Sequence, residues 1–450
     1  MSLAIMGYKK GMLIERSPED GKLEMYKYIL KNMKKNPAFL KKIIKDTARN
    51  EKIVFYLYKR FSKERKKLNN KELWETYKRW LEKYVSFLSY PLIVECTDIF
   101  TTYHLEDAVR KELPDLTPDE MSDLIIAMSS PKELSFMEHE RLDFLKACIK
   151  NYGKLKKKHF EKQSKKHWFV INSFRNIRYL SPEYFLKEAK KETKKNKKKL
   201  EAELKSLKNK IPNLKKRKKE ILKKYKLSNN LKLHFKIIEE MGEGIDKRKE
   251  KMLQCNYFID MYCEEIANRF DLKKKEVHEF TVEEIEELLL KNKKPSKTSV
   301  KKRYEMSAYV MKRKGNTDDV ETKWFYGKKA EKLIELTGPD LTGEIKGYVA
   351  SAPVDKIRGT AQIIMNTHEE KFKKGNILVT TMTRPDFVPL MRKAKAIITD
   401  EGGITCHAAV ISRELKIPCI IGTKKAKKLL KDNDIIEMDL KKGVVRRLSK

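Results

Sequence analysis

Of the eight histidines in the chain, one has neighbours that could do chemistry. His407 lies in the stretch DEGGITCHAAVISRELKIPCIIG, Asp400 to Gly422, directly after a glycine turn and at the start of a segment with helical spacing. Ala396 to Thr399 reads as a short buried strand and Asp400-Glu401-Gly402-Gly403 as a turn. The helix then runs to about Leu415, Pro418 stops it, and a second strand begins at Cys419. Thr405 is a candidate helix cap. An imidazole in the first turn lies beside outward-pointing backbone N–H groups and the positive end of the helix dipole. That setting disfavours the imidazolium and keeps the ring neutral and nucleophilic. Once the ring holds a phosphoryl group, the same N–H groups stabilise the anion. Gly402 and Gly403 take away side chains that would block an approaching phosphate or protein surface. The chemistry on offer is phosphoryl transfer through a histidine. The competing reading is a surface or capping histidine with no such role.

The elements that must position His407 belong to the last part of the chain. From Gly343 onward come short β-type runs, Ile345 to Val349, Thr360 to Met365 and Ile377 to Thr380, separated by Gly and Pro signals. Strand and helix patterns then alternate to the end. A domain boundary is expected near Thr337-Gly338-Pro339-Asp340, leaving residues 338–450 as a compact α/β domain. Ahead of it, apolar residues recur at three- and four-residue spacing and Gly and Pro are sparse, so residues 1 to about 330 read as mostly helical. This part divides into 1–155 and 156–337. In the second piece Leu200, Leu204, Leu207, Ile211 and Leu214 form one apolar stripe in a lysine-rich arm, which Pro212 is expected to kink or end. Ser228-Asn229-Asn230 reads as a turn, and Met241-Gly242-Glu243-Gly244 as a helix break too short to cradle phosphate. No strand-rich run and no glycine-rich phosphate loop is expected ahead of residue 340. The fold class is therefore multidomain: a mostly α-helical N-terminal region followed by a C-terminal α/β domain.

Composition removes several function classes. With 40% apolar residues the 450-residue chain can build real cores. The longest apolar candidate, Tyr84 to Val94, is broken by Ser86, Ser89 and Pro91, so no membrane span is expected. The N-terminus has no basic start followed by a sustained apolar stretch, so no secretory signal is expected and the location reads as cytoplasmic. The six cysteines form no CxxC pair and have no ligand set around them, so no metal site is assigned and buried thiols in a reducing compartment fit best. The net charge of +39 invites a nucleic-acid reading. Arginine is much rarer than lysine, however, and the excess is spread along the helical part without an aromatic RNA-binding signature. The sequence therefore argues against specific nucleic-acid recognition and for a general attraction to anions.

Thr399 to Thr423 resembles the phosphohistidine segment of the enzymes that make or use phosphoenolpyruvate (PEP): phosphoenolpyruvate synthase, pyruvate phosphate dikinase and rifampicin phosphotransferase. The family core of a glycine pair, then Thr, Ser or Cys, His, Ala, Ala stands here as Gly402, Gly403, Thr405, Cys406, His407, Ala408 and Ala409. Upstream, Gly375 to Val379 and the block Met382-Thr383-Arg384-Pro385-Asp386-Phe387-Val388-Pro389-Leu390-Met391 resemble the family as well. Two departures stand out. Ile404 replaces the Arg or Met of many members, and Ala350 to Gly359 lacks a glycine usual in that turn.

The resemblance implies a swivelling phosphohistidine domain. His407 would be the carrier nucleophile, with Gly402, Gly403, Thr405, Cys406 and Ala408 supporting the phosphoryl site. Thr405 resembles a threonine that a regulatory kinase modifies in some members. The family's ATP-grasp domain and enolpyruvate-binding barrel are not recognisable in this sequence. ATP and Mg²⁺ are therefore expected on a separate ATP-grasp chain, with no cofactor held by this chain alone. The acceptor would be pyruvate or another small molecule. Leu134 to Glu140 and Phe280 to Ile285 echo the acceptor-holding helical region of rifampicin phosphotransferase. His159, His167 and Trp168 could line such a pocket, although plain helix packing with a half-exposed indole is the stronger account of them. The alternative is a phosphohistidine carrier or regulatory protein that catalyses nothing alone and docks to protein or nucleic acid through its basic helices.

Overall fold

The computed structural model describes residues 3–9, 12–16, 19–172, 177–194, 196–313, 320–336, 344–365, 371–383, 387–402 and 406–449. The chain divides into two compact units. The first comprises Met1–Glu95, Pro131–Lys216 and Glu240–Thr337; the second comprises Cys96–Ser130, Arg217–Glu239 and Gly338–Lys450. Among the described residues, no helix is long and apolar enough to cross a membrane.

In the first unit, apolar residues at helical spacing line up as one stripe on each long helix. Val54, Leu57 and Phe61 come from the helix Phe39–Glu64, and Leu73, Tyr77, Trp80 and Tyr84 from Asn70–Tyr103. They close on Phe258, Tyr262 and Ile266 of the helix Asn229–Phe270. Trp80 stacks on Phe258 and Tyr77 on Tyr262, each with ring centroids 4.2 Å apart. Such pairs add about 0.5–1.5 kcal/mol beyond the area they bury. A smaller core holds Phe144, Cys148, Phe160, Phe169 and Phe185.

Neither of two expected interruptions ends its helix. The helix Lys197–Lys224 runs through Pro212, which is exposed, as is Lys208 one turn earlier. The proline costs the helix one backbone donor on its solvent-exposed side. The helix Asn229–Phe270 likewise runs through Gly242 and Gly244. Near Gly242 an added Cβ would lie at an ordinary 3.5 Å from Pro131, and helical packing outweighs the glycine's conformational cost.

Strands also occur ahead of residue 340, where the sequence predicts no strand-rich run. β1 (Leu3–Lys9), β2 (Met12–Arg16), β3 (Ser307–Arg313) and β4 (Val320–Tyr326) form an antiparallel sheet in the order β2-β1-β3-β4. Ile5 pairs with Val310, so the two ends of a long helical stretch meet in one sheet. Across β3 and β4, Tyr309 pairs with Trp324, ring centroids 4.8 Å apart. The helix Gly327–Leu336 covers the sheet through Ala330 and Ile334.

The described helices of segments 96–130 and 217–239 belong to the second unit. There Thr117 and Glu120 form a reciprocal capping box that starts the helix Pro118–Ser129. The rest of the unit is the C-terminal α/β domain. Its strands are β5 (Ile345–Lys346), β6 (Tyr348–Ser351), β7 (Lys356–Ile363), β8 (Ile377–Thr380), β9 (Ala396–Thr399), β10 (Cys419–Ile421), β11 (Ile435–Asp439) and β12 (Val444–Ser449). They form one sheet in the order β5-β12-β11-β7-β8-β9-β10-β6, parallel from β7 to β10 and antiparallel elsewhere.

β8, β9 and β10 are buried on both faces, which is why their sequences are nearly continuously apolar. Ile377, Val379, Ala396, Ile398 and Ile420 face one core, shared with Ile436, Met438 and Val445. Leu378, Ile397, Cys419 and Ile421 face the other, shared with Phe387, Met391, Ala408 and Ala409. β5 and β6 lie at opposite edges of the strand order yet are joined by Gly347 alone. The sheet therefore curls until it is nearly a closed barrel. Gly347 N–H donates to the Gly443 carbonyl at 2.8 Å. A Cβ on Gly347 would lie 2.5 Å from the Ile421 carbonyl oxygen, so only glycine fits this closure.

Candidate functional site

The parallel strands place their carboxyl ends together, the usual position for a binding site in a parallel α/β sheet. From β8 the chain continues through Thr380, Thr381, Met382 and Thr383. From β9 it continues through Asp400, Glu401 and Gly402 toward His407. Backbone hydrogen bonds staple the two exits: Asp400 N–H donates to the Thr380 carbonyl at 3.1 Å and Glu401 N–H to the Thr381 carbonyl at 2.8 Å. Hydroxyls lock each turn from within, Thr380 Oγ1 donating to the Met382 carbonyl (3.3 Å) and Thr399 Oγ1 to the Glu401 carbonyl (2.8 Å).

His407 is the first residue of the helix His407–Glu414, with extended Cys406 as its N-cap. It is half-buried, neither sealed in the core nor remote from a helix start. Its Nδ1 lies 2.8 Å from Thr383 Oγ1, and Thr383 is itself buried. Nδ1 is thus engaged by a fixed hydroxyl on the neighbouring loop. Ala408 and Ala409 are fully buried against the sheet, and their small size lets the helix start approach it closely. Cys406 is half-buried. Burial pushes its thiol up, while the backbone N–H groups of Ala409 and Ala408 pull the other way. Gly402 has φ +112°, and a Cβ there would meet the Cys406 Sγ at 2.6 Å. Its glycine is therefore required by the backbone and by the thiol beside it. Gly403 and Thr405 lie outside the described residues; with Cys406 at the N-cap, that position is one residue later than a Thr405 cap would put it.

Asp400 is a residue the sequence did not single out. It is 8% exposed and accepts from Thr423 Oγ1 at 2.8 Å and from the Lys427 N–H at 3.3 Å. Burial pushes its carboxyl above the usual range; the Thr423 hydroxyl and the N–H groups of Lys427 and Ala426 work against that shift. Its role is to tie the β9 exit to the turn after β10. Asp400→Asn keeps an acceptor oxygen for both donors. Asp400→Ala strands the Lys427 N–H and leaves the buried Thr423 hydroxyl only the Thr399 carbonyl at 3.2 Å, at a cost of about 1–3 kcal/mol. Amide hydrogen exchange over residues 396–430 should therefore quicken in the Ala variant and stay near wild type in the Asn variant. Thr383 was also missed as a site residue, although its block was recognised; nothing in the local pattern says that its hydroxyl turns toward an imidazole 24 positions away.

Exposed methionines follow the carboxyl ends of β7 and β8. Met382 is 48% and Met365 41% exposed, and the Thr381 hydroxyl lies 3.8 Å from Met365 Sδ. Such flexible apolar side chains suit a surface that packs against more than one partner.

The other histidine candidates lie in the first unit, where each has a partner of its own. His167 is buried, with Nε2 3.1 Å from Asp143 Oδ2, and burial holds its pKa below the usual imidazole range. His159 Nδ1 accepts the Lys156 N–H at 3.2 Å. Trp168 stacks on Tyr179 at 5.6 Å. These contacts match helix packing.

Residues 372–443 match the family described as "PEP-utilising enzyme, mobile domain". The chain is 50% identical over 102 residues to a probable phosphoenolpyruvate synthase of Methanothermobacter thermautotrophicus, covering 22% of this chain and 15% of the relative. It is also 50% identical over 102 residues to the phosphoenolpyruvate synthase of Pyrococcus furiosus, covering 22% and 12%. With the rifampicin phosphotransferase of Bacillus subtilis it shares 34% identity over 122 residues, covering 25% and 14%. The chain thus spans well under a fifth of the length of these relatives.

Proposed function

We propose, for a chain whose C-terminal segment belongs to the mobile-domain family of PEP-utilising enzymes, that His407 carries a phosphoryl group from ATP to a small-molecule acceptor. The observation that carries this reading is the imidazole at the first turn of its helix, with Nδ1 set against Thr383. With Nδ1–H donating to Thr383 Oγ1, the ring's lone pair lies on Nε2. Nε2 attacks phosphorus in line, an N–P bond forms, and the P–O bond to the nucleotide breaks with its electron pair leaving on the nucleotide phosphate. The ring becomes cationic, and the hydrogen bond to Thr383 strengthens as it does so. The first-turn N–H groups and helix dipole stabilise the phosphoryl anion.

ATP and Mg²⁺ would be held by a separate ATP-grasp chain, the metal neutralising charge on the nucleotide phosphates. Cys406 and Ala408 keep the helix start closely packed, Gly402 shapes the turn before it, and Thr405 is a candidate modification site. The acceptor is pyruvate, as in a PEP synthase, or another small molecule. The exposed Met365 and Met382 support docking against other protein surfaces. The test is to incubate the chain with an ATP-grasp protein, Mg²⁺ and ATP labelled at the β- or γ-phosphate, then add pyruvate and other small acceptors. Acid-labile label that appears on the chain and leaves with an acceptor supports the transferase. Label that forms and no small molecule discharges favours the carrier alternative, and no acid-labile label removes both.

A further inference from the structure

The helix Lys197–Lys224 is unevenly used, and the unevenness lies within the first unit. Leu200 is fully buried, and Leu204, Leu207, Ile211 and Leu214 are half-buried on the same side. One flank of that stripe is tied down by ion pairs: Lys210 with Glu138, and Glu203 with Arg141 at 2.7 Å. The other side is different. At 3.6 residues per turn, Lys198, Lys205, Lys208, Lys215 and Lys216 fall within about 100° of arc. All are exposed, and among the described residues none has an ion-pair partner. The acid on that arc, Glu201, is engaged by Lys197 at 3.8 Å. The charge that looks diffuse along the sequence is therefore gathered by the helix phase into a row about 27 Å long, at 1.5 Å per residue.

We propose that this row binds the phosphate backbone of nucleic acid without regard to sequence. Like charges one and two turns apart repel within a helix, and a line of phosphates relieves that repulsion. The row is made of lysines, compact point charges suited to phosphates, with no arginine fork placed to read a base edge. A protein-docking face would be expected to centre on a large apolar or aromatic anchor, and this arc carries none between Lys198 and Lys216. A membrane-surface helix would need its apolar side turned outward, whereas here the leucine side is packed inward.

The experiment is a titration of the full chain with a mixed-sequence 20-base-pair DNA duplex across 50–200 mM salt. Wild type should bind with a Kd of about 10⁻⁴–10⁻⁶ M near physiological salt. Five phosphate contacts give a log Kd against log salt slope of about 4.5 units, at about 0.9 per contact. The five-fold variant with Lys198, Lys205, Lys208, Lys215 and Lys216 changed to Gln should lose most of that slope, and Gln preserves helix propensity. A charge-matched control with Lys27, Lys31, Lys34, Lys41 and Lys42 changed to Gln should keep it. Equal losses in both variants would reduce the effect to bulk charge and overturn the proposal. So would an unchanged slope in the first variant, or wild-type binding to polyglutamate or anionic vesicles with none to the duplex.

Discussion

Replacing His407 by Ala should abolish acid-labile labelling of the chain, a loss of at least about a thousandfold. Nucleophilic catalysis needs an available lone pair, and among the described residues no neighbour supplies one of the same kind. The Cys406 thiol is the nearest rival, and its burial pushes the pKa up, leaving little thiolate at neutral pH. Ser412 is fully buried, with Oγ donating to the Ala409 carbonyl at 3.0 Å. The chemistry of the label separates these cases. A phosphoimidazole falls apart in acid, where protonation makes the ring a good leaving group, and survives base; a serine or threonine ester does the reverse. His407→Gln is the companion variant, since it retains polar bulk beside Thr383. Hydrogen exchange over residues 396–415 close to wild type in either variant shows that the helix start still forms. Acid-labile label persisting in a folded His407→Ala chain would transfer the carrier role to another residue and end the assignment.

Local patterns made the C-terminal strands legible for a physical reason. β8, β9 and β10 are buried on both faces, so Ile377 to Thr380, Ala396 to Thr399 and Cys419 to Ile421 read as apolar runs bounded by turn residues. The helix start at His407 was visible from the glycine turn before it and Pro418 after it. The first sheet was not. β1 and β3 pair across some three hundred residues, so nothing local in LAIMGYK or SAYVMKR names its partner. The same limit applied inside the site. Asp400 looks like one more turn residue in DEGG, and only the fold shows that it holds Thr423 and the Lys427 N–H. Gly402 was read as leaving room for a phosphate, and in the folded chain the nearby space belongs to the Cys406 thiol. Spacing therefore identified the residue that could react, and tertiary contacts were needed to identify the residues that aim it.

Thr383→Val should slow both loading and discharge of His407, each by about 10- to 100-fold, without displacing the fold. Valine preserves the volume of a side chain that is 7% exposed, so the loop after β8 keeps its packing. What disappears is the oxygen 2.8 Å from Nδ1. In the resting ring that oxygen can accept from Nδ1–H, the tautomer that leaves the lone pair on Nε2. In the transition state the ring acquires positive charge, and the same contact becomes a charge-assisted hydrogen bond, about twice as strong as a neutral one. A loss of about 1.4–2.8 kcal/mol follows, or 10- to 100-fold in rate. Because the contact stabilises the same cationic ring from either side, reverse transfer should slow in parallel. Thr383→Ser is the decisive partner variant: it restores the oxygen and should recover most of the rate. A merely structural threonine predicts the opposite order, with Val better tolerated than Ser because it fills the buried volume. Rapid-quench measurement of label entering and leaving His407 in the three chains separates the two. Equal loading rates in wild type and Thr383→Val would remove the hydroxyl from the mechanism while leaving His407 as the carrier.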